Sequence, residues 1–161
     1  MKYFILAISL FVIENSQAQN KHFTVNEGRL TWKTTFKTAE QQVLTAIAKN
    51  NPRYFIRKNE NAGKSNKVNC TCKGSSFYME QYFDFNFKVT TQNGSYTVEV
   101  SDIVFESEGD NNTNNHLEDF VLKRGKNTSF INTPKNFANL DCFDAYFKKH
   151  FVISDAEEIM P

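Results

Sequence analysis

Tryptophan occurs once in this chain of 161 residues, proline three times, and cysteine and histidine three times each. These shortages close most routes to enzymatic chemistry. There is no H-E-x-x-H for a zinc hydrolase, no glycine-rich phosphate loop, and no Ser or Cys in a nucleophile-elbow setting. The three histidines, His22, His116 and His150, fall in loops or tails or at a helix end, where a cation complements the helix dipole. An excess of one charge is missing as well. Lys and Arg number 19 against 18 Asp and Glu, a net charge of +1, and the basic residues are scattered. Non-specific nucleic-acid binding depends on a surplus of basic groups, so we expect no nucleic-acid partner. No apolar run after the N-terminus is long enough to cross a bilayer, and we expect no transmembrane segment.

What is present begins with an export signal over residues 1–18. Lys2 supplies a thin positive region, Phe4 to Ile13 an apolar run too short to span a membrane, and Ser16-Gln17-Ala18 a small-x-small cleavage site. Gln19 is then the first mature residue, and the product is periplasmic or secreted. No cysteine stands at the cleavage point to carry a lipid anchor. Loss of Lys2 and Glu14 leaves the charge unchanged, and about 143 residues remain, enough for one domain with one core. We place that domain at 19–161 and its core at about 28–151.

Phenylalanine is abundant, with sixteen copies, and it marks the stretch around which the rest is organised. From Phe83 to Val89 every second residue is apolar: Phe83, Phe85, Phe87, Val89. That period of two puts the rings on one face of a strand. Asn93-Gly94 follows, the dipeptide that favours a two-residue hairpin turn with positive φ at both positions. Pairing outward from the turn sets Val89 against Val98, Phe87 against Val100 and Lys88 against Glu99. Phe85 would then meet Asp102, so a bulge near Ser101-Asp102 is needed to restore Phe85 to Ile103 and Phe83 to Phe105.

Around this hairpin the other elements are short. Phe23 and Val25 suit a short edge pairing, and Gly28 opens a strand with Leu30, Trp32, Thr34 and Phe36 on one face. Thr38 and Gln41 form a capping-box pattern for a helix that carries Val43, Leu44 and Ile47 and stops before Pro52. Strands are expected at Arg53 to Lys58 and at Asn66 to Lys73, the second with Val68, Cys70 and Cys72 facing inward. Residues 106–115 are acidic and rich in Asn and read as a mobile loop. A short helix from Leu117 to Lys123 precedes the closing helix, Lys135 to Phe151, whose stripe is Leu140, Phe143 and Phe147. That stripe must cover Phe83, Phe85 and Phe87, and these six residues are the candidate lining of any groove between sheet and helix. A filled interior is the expected arrangement, because domains of this size seldom keep a large empty apolar space.

Cys70-Thr71-Cys72 is the other motif that bears chemistry. Two thiolates at this spacing suit a soft metal, but further ligands at a recognised spacing are missing, so we expect no metal and no cofactor. A disulfide from Cys70 or Cys72 to Cys142 is open, since export implies an oxidising compartment. Cys142 lies about 130° from the centre of its helix's apolar stripe, however, so three buried free thiols are the expectation. Asp84 and Asp102 could pair across an unbulged hairpin; period two places Asp84 on the wet face instead.

The motifs Gly28-Arg29-Leu30-Thr31-Trp32 and Asn93-Gly94-Ser95-Tyr96-Thr97-Val98-Glu99-Val100-Ser101-Asp102-Ile103-Val104-Phe105 resemble a family of small exported bacterial domains of unknown function. The resemblance spans roughly residues 28–150 and implies a fold like that of the TATA-binding protein, without implying an activity or DNA binding. The class is then α+β, an antiparallel sheet in β-α-β-β-β-β-α order gripping a C-terminal helix. We expect a non-enzymatic binding or interaction module whose partner is a small apolar ligand in the groove or another protein. The alternatives are an accessory subunit of an envelope assembly recruiting a chain through a sheet edge, and a hydrolase with an unrecognised site.

Overall fold

The computed structural model describes residues 21–52, 55–106, 115–125, 129–154 and 156–159. The expected export signal and most of the Asn-rich loop lie outside the described residues. Strands β1 (Phe23–Asn26), β2 (Arg29–Lys37), β3 (Phe55–Arg57), β4 (Ala62–Ser65), β5 (Phe83–Gln92), β6 (Ser95–Phe105), β7 (Asn115–His116) and β8 (Glu157–Glu158) share one sheet. Among the described residues, three α-helices, α1 (Val43–Asn50), α2 (Leu117–Val121) and α3 (Pro134–Phe151), and a 3-10 turn (Phe77–Glu80) complete the order. The main path of the sheet runs β1-β2-β6-β5-β4-β3, with β7 added to β6 and β8 to β2, and every pairing is antiparallel.

The central hairpin has the register its residue pattern implies. Val89 pairs with Val98, Lys88 with Glu99, Phe87 with Val100 and Phe83 with Phe105. Between the pairs Asp84–Val104 and Asn86–Ser101, β5 holds one residue and β6 holds two, so Phe85 faces a bulge at Asp102-Ile103. Asp102 takes φ 52°, the left-handed conformation that re-aims the strand. The turn differs from expectation. Gly94 has φ 75° but Asn93 does not enter the positive region, so this is not the doubly positive turn that Asn-Gly favours. Positive φ at two adjacent positions occurs instead at Glu27 and Gly28, between β1 and β2.

Two further corrections concern local competition. The helix expected from Thr38 starts at Val43, because the polar side chains before it close small turns of their own. Thr38 Oγ1 accepts from the Glu40 amide, and the Glu40 carboxylate accepts from the Gln42 amide. The strand expected over 66–73 is not formed. Its place beside β5 is taken by β4, where Gly63 lies under the Phe87 ring so closely that a Cβ would collide with it. Ser65 Oγ accepts from the Phe85 amide, and then Lys67, at φ 47°, turns the chain out of the sheet. It returns only at Val68, which exchanges two backbone hydrogen bonds with Phe83.

Helix α3 starts cleanly. Thr133 caps it by accepting from the Asn136 amide, and Pro134 occupies the first turn, where its missing N–H costs nothing. Its C-terminal end is sealed by a buried phenol: Tyr96 donates to the Phe151 carbonyl at 2.8 Å and accepts from the Ile153 amide. Burial pushes that phenol up to about 12.

Candidate functional site

The six residues of the candidate groove meet in the interior. Phe83, Phe85, Phe87, Leu140, Phe143 and Phe147 are all at most 3% exposed. Phe83 stands edge-on to Phe143 at 5.3 Å, and Phe85 edge-on to Phe147 at 5.1 Å, both within the favourable range for ring pairs. Phe87 meets Phe151 at 5.1 Å, one helical turn beyond the expected stripe. Phe151 also stacks on Phe55 and Trp32, and its spacing of four from Phe147 was the signal for it. Rings fill the space between α3 and the strands. Surface clefts of about 470, 440 and 320 Å³ lie elsewhere, and none of the six residues lines them.

The cysteines overturn the expectation of three free thiols. Cys72 and Cys142 form a disulfide, and Cys70 is free and buried. Cys142 is only 6% exposed although it stands off the apolar stripe, because a loop and not a strand covers that side of α3. Asn139, one turn earlier, holds the same loop: its side-chain amide donates to Ser76 Oγ and Tyr78 Oη and accepts from the Ser76 amide. The Cys70 thiol lies 3.4 Å from Cys142 Sγ, and the three sulfurs all fall within 4.8 Å of one another. Burial pushes the Cys70 thiol up to about 12, so at neutral pH it is a protonated thiol and not a free thiolate nucleophile.

Asp84 and Asp102 serve different partners. Asp84 pairs with Lys64 at 3.2 Å and accepts from the Lys67 amide, whereas Asp102 accepts from the Asn86 side chain. A polar cluster that residue patterns did not reveal stands at the opposite edge of the sheet. His22 lies between Asp144, at 2.8 Å from Nδ1, and Glu158, at 3.1 Å from Nε2. Lys148 bridges the same two carboxylates at 3.0 Å each, and Trp32 Nε1 donates to Asp144. Burial lowers the Lys148 pKa, but its bonds to Asp144 and Glu158 outweigh that and raise it. The i,i+4 spacing of Asp144 and Lys148 was legible; their partners from both ends of the chain were not.

This cluster fastens an edge that, among the described residues, has no strand on its outer side. β1 and β8 lie end to end along β2, and His22 and Glu158 join them. The Lys33 amide donates to the His22 carbonyl, so the hydrogen-bonded pairs are His22–Lys33, Thr24–Thr31 and Asn26–Arg29. The N–H and C=O groups of Phe23 and Val25 therefore point away from the sheet. The Phe23 ring is buried beside Phe147, which keeps the strand in place.

No protein-family profile matches the chain, and no curated protein does. Solved structures do. A TBP-like protein from Parabacteroides distasonis superposes with a TM-score of 0.50 at 19% identity, covering 78% of this chain and 92% of its own. The fold is TBP-like. A DUF4468 family protein from Bacteroides ovatus superposes with a TM-score of 0.49 at 13% identity, covering 84% of this chain and 93% of its own. The TBP-like sheet accords with the architecture that the two sequence motifs implied, an antiparallel α+β fold. In the described residues no helix is long and apolar enough to cross a membrane.

Proposed function

We propose that the protein is an exported, non-enzymatic interaction module that recruits a second polypeptide by adding its strand to the β1 edge. The observation that carries this reading is the outward-facing backbone of Phe23 and Val25, on a strand anchored by a buried ring and the His22 cluster. An extended segment pairing there gains main-chain hydrogen bonds at little cost, since the edge is already ordered. Carriage of a small apolar ligand in the groove is less well supported, because the rings between sheet and α3 are in direct contact. A hydrolase has little support either. The groups with shifted pKa lie apart and do not converge on one cleft. Lys67 is bonded to Glu106, Lys148 to Asp144 and Glu158, Tyr78 to Asn139, Tyr96 to the end of α3 and His150 to Asn51, while Cys70 is shifted by burial alone.

Val25→Pro tests the reading, since proline removes an outward N–H and is tolerated on edge strands. With a photo-cross-linker at the exposed Thr24, the wild-type chain should give one heavier adduct in its host's envelope. Val25→Pro should lose that adduct while melting within a few degrees of wild type. An adduct unchanged by proline, or none from the wild type, refutes β1 as the docking edge. Export itself is checked by sequencing the mature chain from the envelope fraction, which should begin at Gln19.

A further inference from the structure

We infer that the reduced protein holds one Cu(I) ion on the three sulfurs of Cys70, Cys72 and Cys142, in a site that the Cys72–Cys142 disulfide closes. The three Sγ atoms already lie within 4.8 Å of one another. Three sulfurs bound to one ion at about 2.3 Å in a plane sit about 4 Å apart. Cys70 Sγ and Cys142 Sγ are 3.4 Å apart, so opening the disulfide is the main movement required.

The loop that carries two of the ligands is fixed by bonds that do not involve sulfur. Before Cys70, Val68 exchanges two backbone hydrogen bonds with Phe83, at 3.0 and 2.8 Å. After Cys72, Ser76 is held to α3 by Asn139, through its amide at 3.2 Å and its hydroxyl at 2.8 Å. Reduction therefore leaves Cys70 and Cys72 facing Cys142 on α3. Among the described residues no histidine or carboxylate joins the group as a fourth ligand. Thiolate ligands select soft ions, and a set of three suits Cu(I), which accepts three-coordination, better than zinc, which takes four ligands.

The chemistry balances in two steps. A dithiol gives the two electrons and two protons and becomes a disulfide, or a phosphine gives the electrons, takes oxygen from water as its oxide and leaves water's two protons. Either way the protein disulfide becomes two thiols. Cu(I) then displaces three protons and binds three thiolates without a change of oxidation state.

The experiment uses the mature chain under a phosphine reductant, titrated against a chromophoric Cu(I) chelator. The reduced wild type should take one Cu(I) per chain and show sulfur-to-copper charge-transfer absorption, while the oxidised chain takes none. Cys70→Ser should weaken Cu(I) binding by at least roughly tenfold, since even groups that only orient metal ligands are worth roughly 10–100-fold. This variant keeps the Cys72–Cys142 bridge, so it can be folded oxidised and reduced afterwards, with near-UV circular dichroism reporting its packing. The inference fails if the reduced wild type leaves all copper with the chelator, or if it loses its packing on reduction. It also fails if Cys70→Ser binds as tightly as wild type.

Discussion

The two halves of α3 are held down by different means. From Phe143 onward the helix faces strands, and rings do the holding: Phe143, Phe147 and Phe151 meet Phe83, Phe85, Phe87 and Trp32. Before Phe143, Leu140 continues the buried stripe, but the helix otherwise meets loops and the end of α2 through amides and sulfur. Asn136 donates to the carbonyls of Val121 and Ile131, Asn139 binds Ser76 and Tyr78, and Cys142 is bridged to Cys72. The difference follows from the partner. A strand presents an apolar residue at every second position, so a helix stripe can interlock with it. A loop presents unpaired backbone groups that must be satisfied, and side-chain amides or a covalent link do that.

The ring half should be the harder to lose. Phe147 touches Phe23, Trp32, Phe85 and Phe143 and is fully buried. Phe147→Ala should destabilise the domain by about 3–5 kcal/mol in urea denaturation, from lost burial and the cavity left behind. Removing the bridge from the other half, with Cys72→Ser and Cys142→Ser together, should cost about 2–4 kcal/mol, because it frees a long loop in the unfolded chain. If the bridge proved worth more than Phe147, loops and not rings would be the principal attachment of α3.

The same division decides what residue patterns could reveal. The β5–β6 register, its bulge and the stripe Leu140-Phe143-Phe147 were legible because strands and helices impose periods of 2 and 3.6 on apolar residues. Asn136 and Asn139 were not, since an inward polar residue has no period and its partners are set by loop conformation. The cysteines misled for that reason: Cys142 is off the apolar stripe yet faces the loop that carries Cys72. The strand read over 66–73 failed at Lys67, whose left-handed backbone no local pattern announced. Asp144 and Lys148 are neighbours on α3, but His22 joins them through its pairing with β2 and Glu158 through the β2–β8 pairing, which bring together distant parts of the chain.

Asn139→Ala gives a smaller test of the loop-facing half. It strips partners from the Tyr78 hydroxyl and from Ser76, and should cost about 1–3 kcal/mol, the usual penalty for leaving buried polar groups unpaired. Asn139→Ala combined with removal of the bridge should cost more than the sum of the two, because each anchor limits the loop when the other is gone. Strict additivity in a double-mutant cycle would mean that the two anchors act independently.

The smallest effect sits at the far end of the ring-facing half, where one polar contact interrupts the pattern. Asn51, at the end of α1, donates from its side chain to the carbonyls of Ile47 and His150, and its Oδ1 lies 2.7 Å from His150 Nδ1. Burial, with a smaller contribution from Lys149, lowers the His150 pKa from its ordinary value of 6.5. The folded chain therefore resists the proton that the unfolded chain accepts. Above pH 6.5 both states are neutral at this residue and the contribution to stability is complete. As pH falls below that value the unfolded state gains the proton first, and stability declines until the folded-state pKa is passed. The urea midpoint should thus slope downward just below pH 6.5. His150→Gln keeps a hydrogen-bonding group beside Asn51 but cannot titrate, and it should flatten that part of the profile. A slope that survives in His150→Gln would assign the effect to another group and leave the end of α3 held by its rings and the Tyr96 phenol.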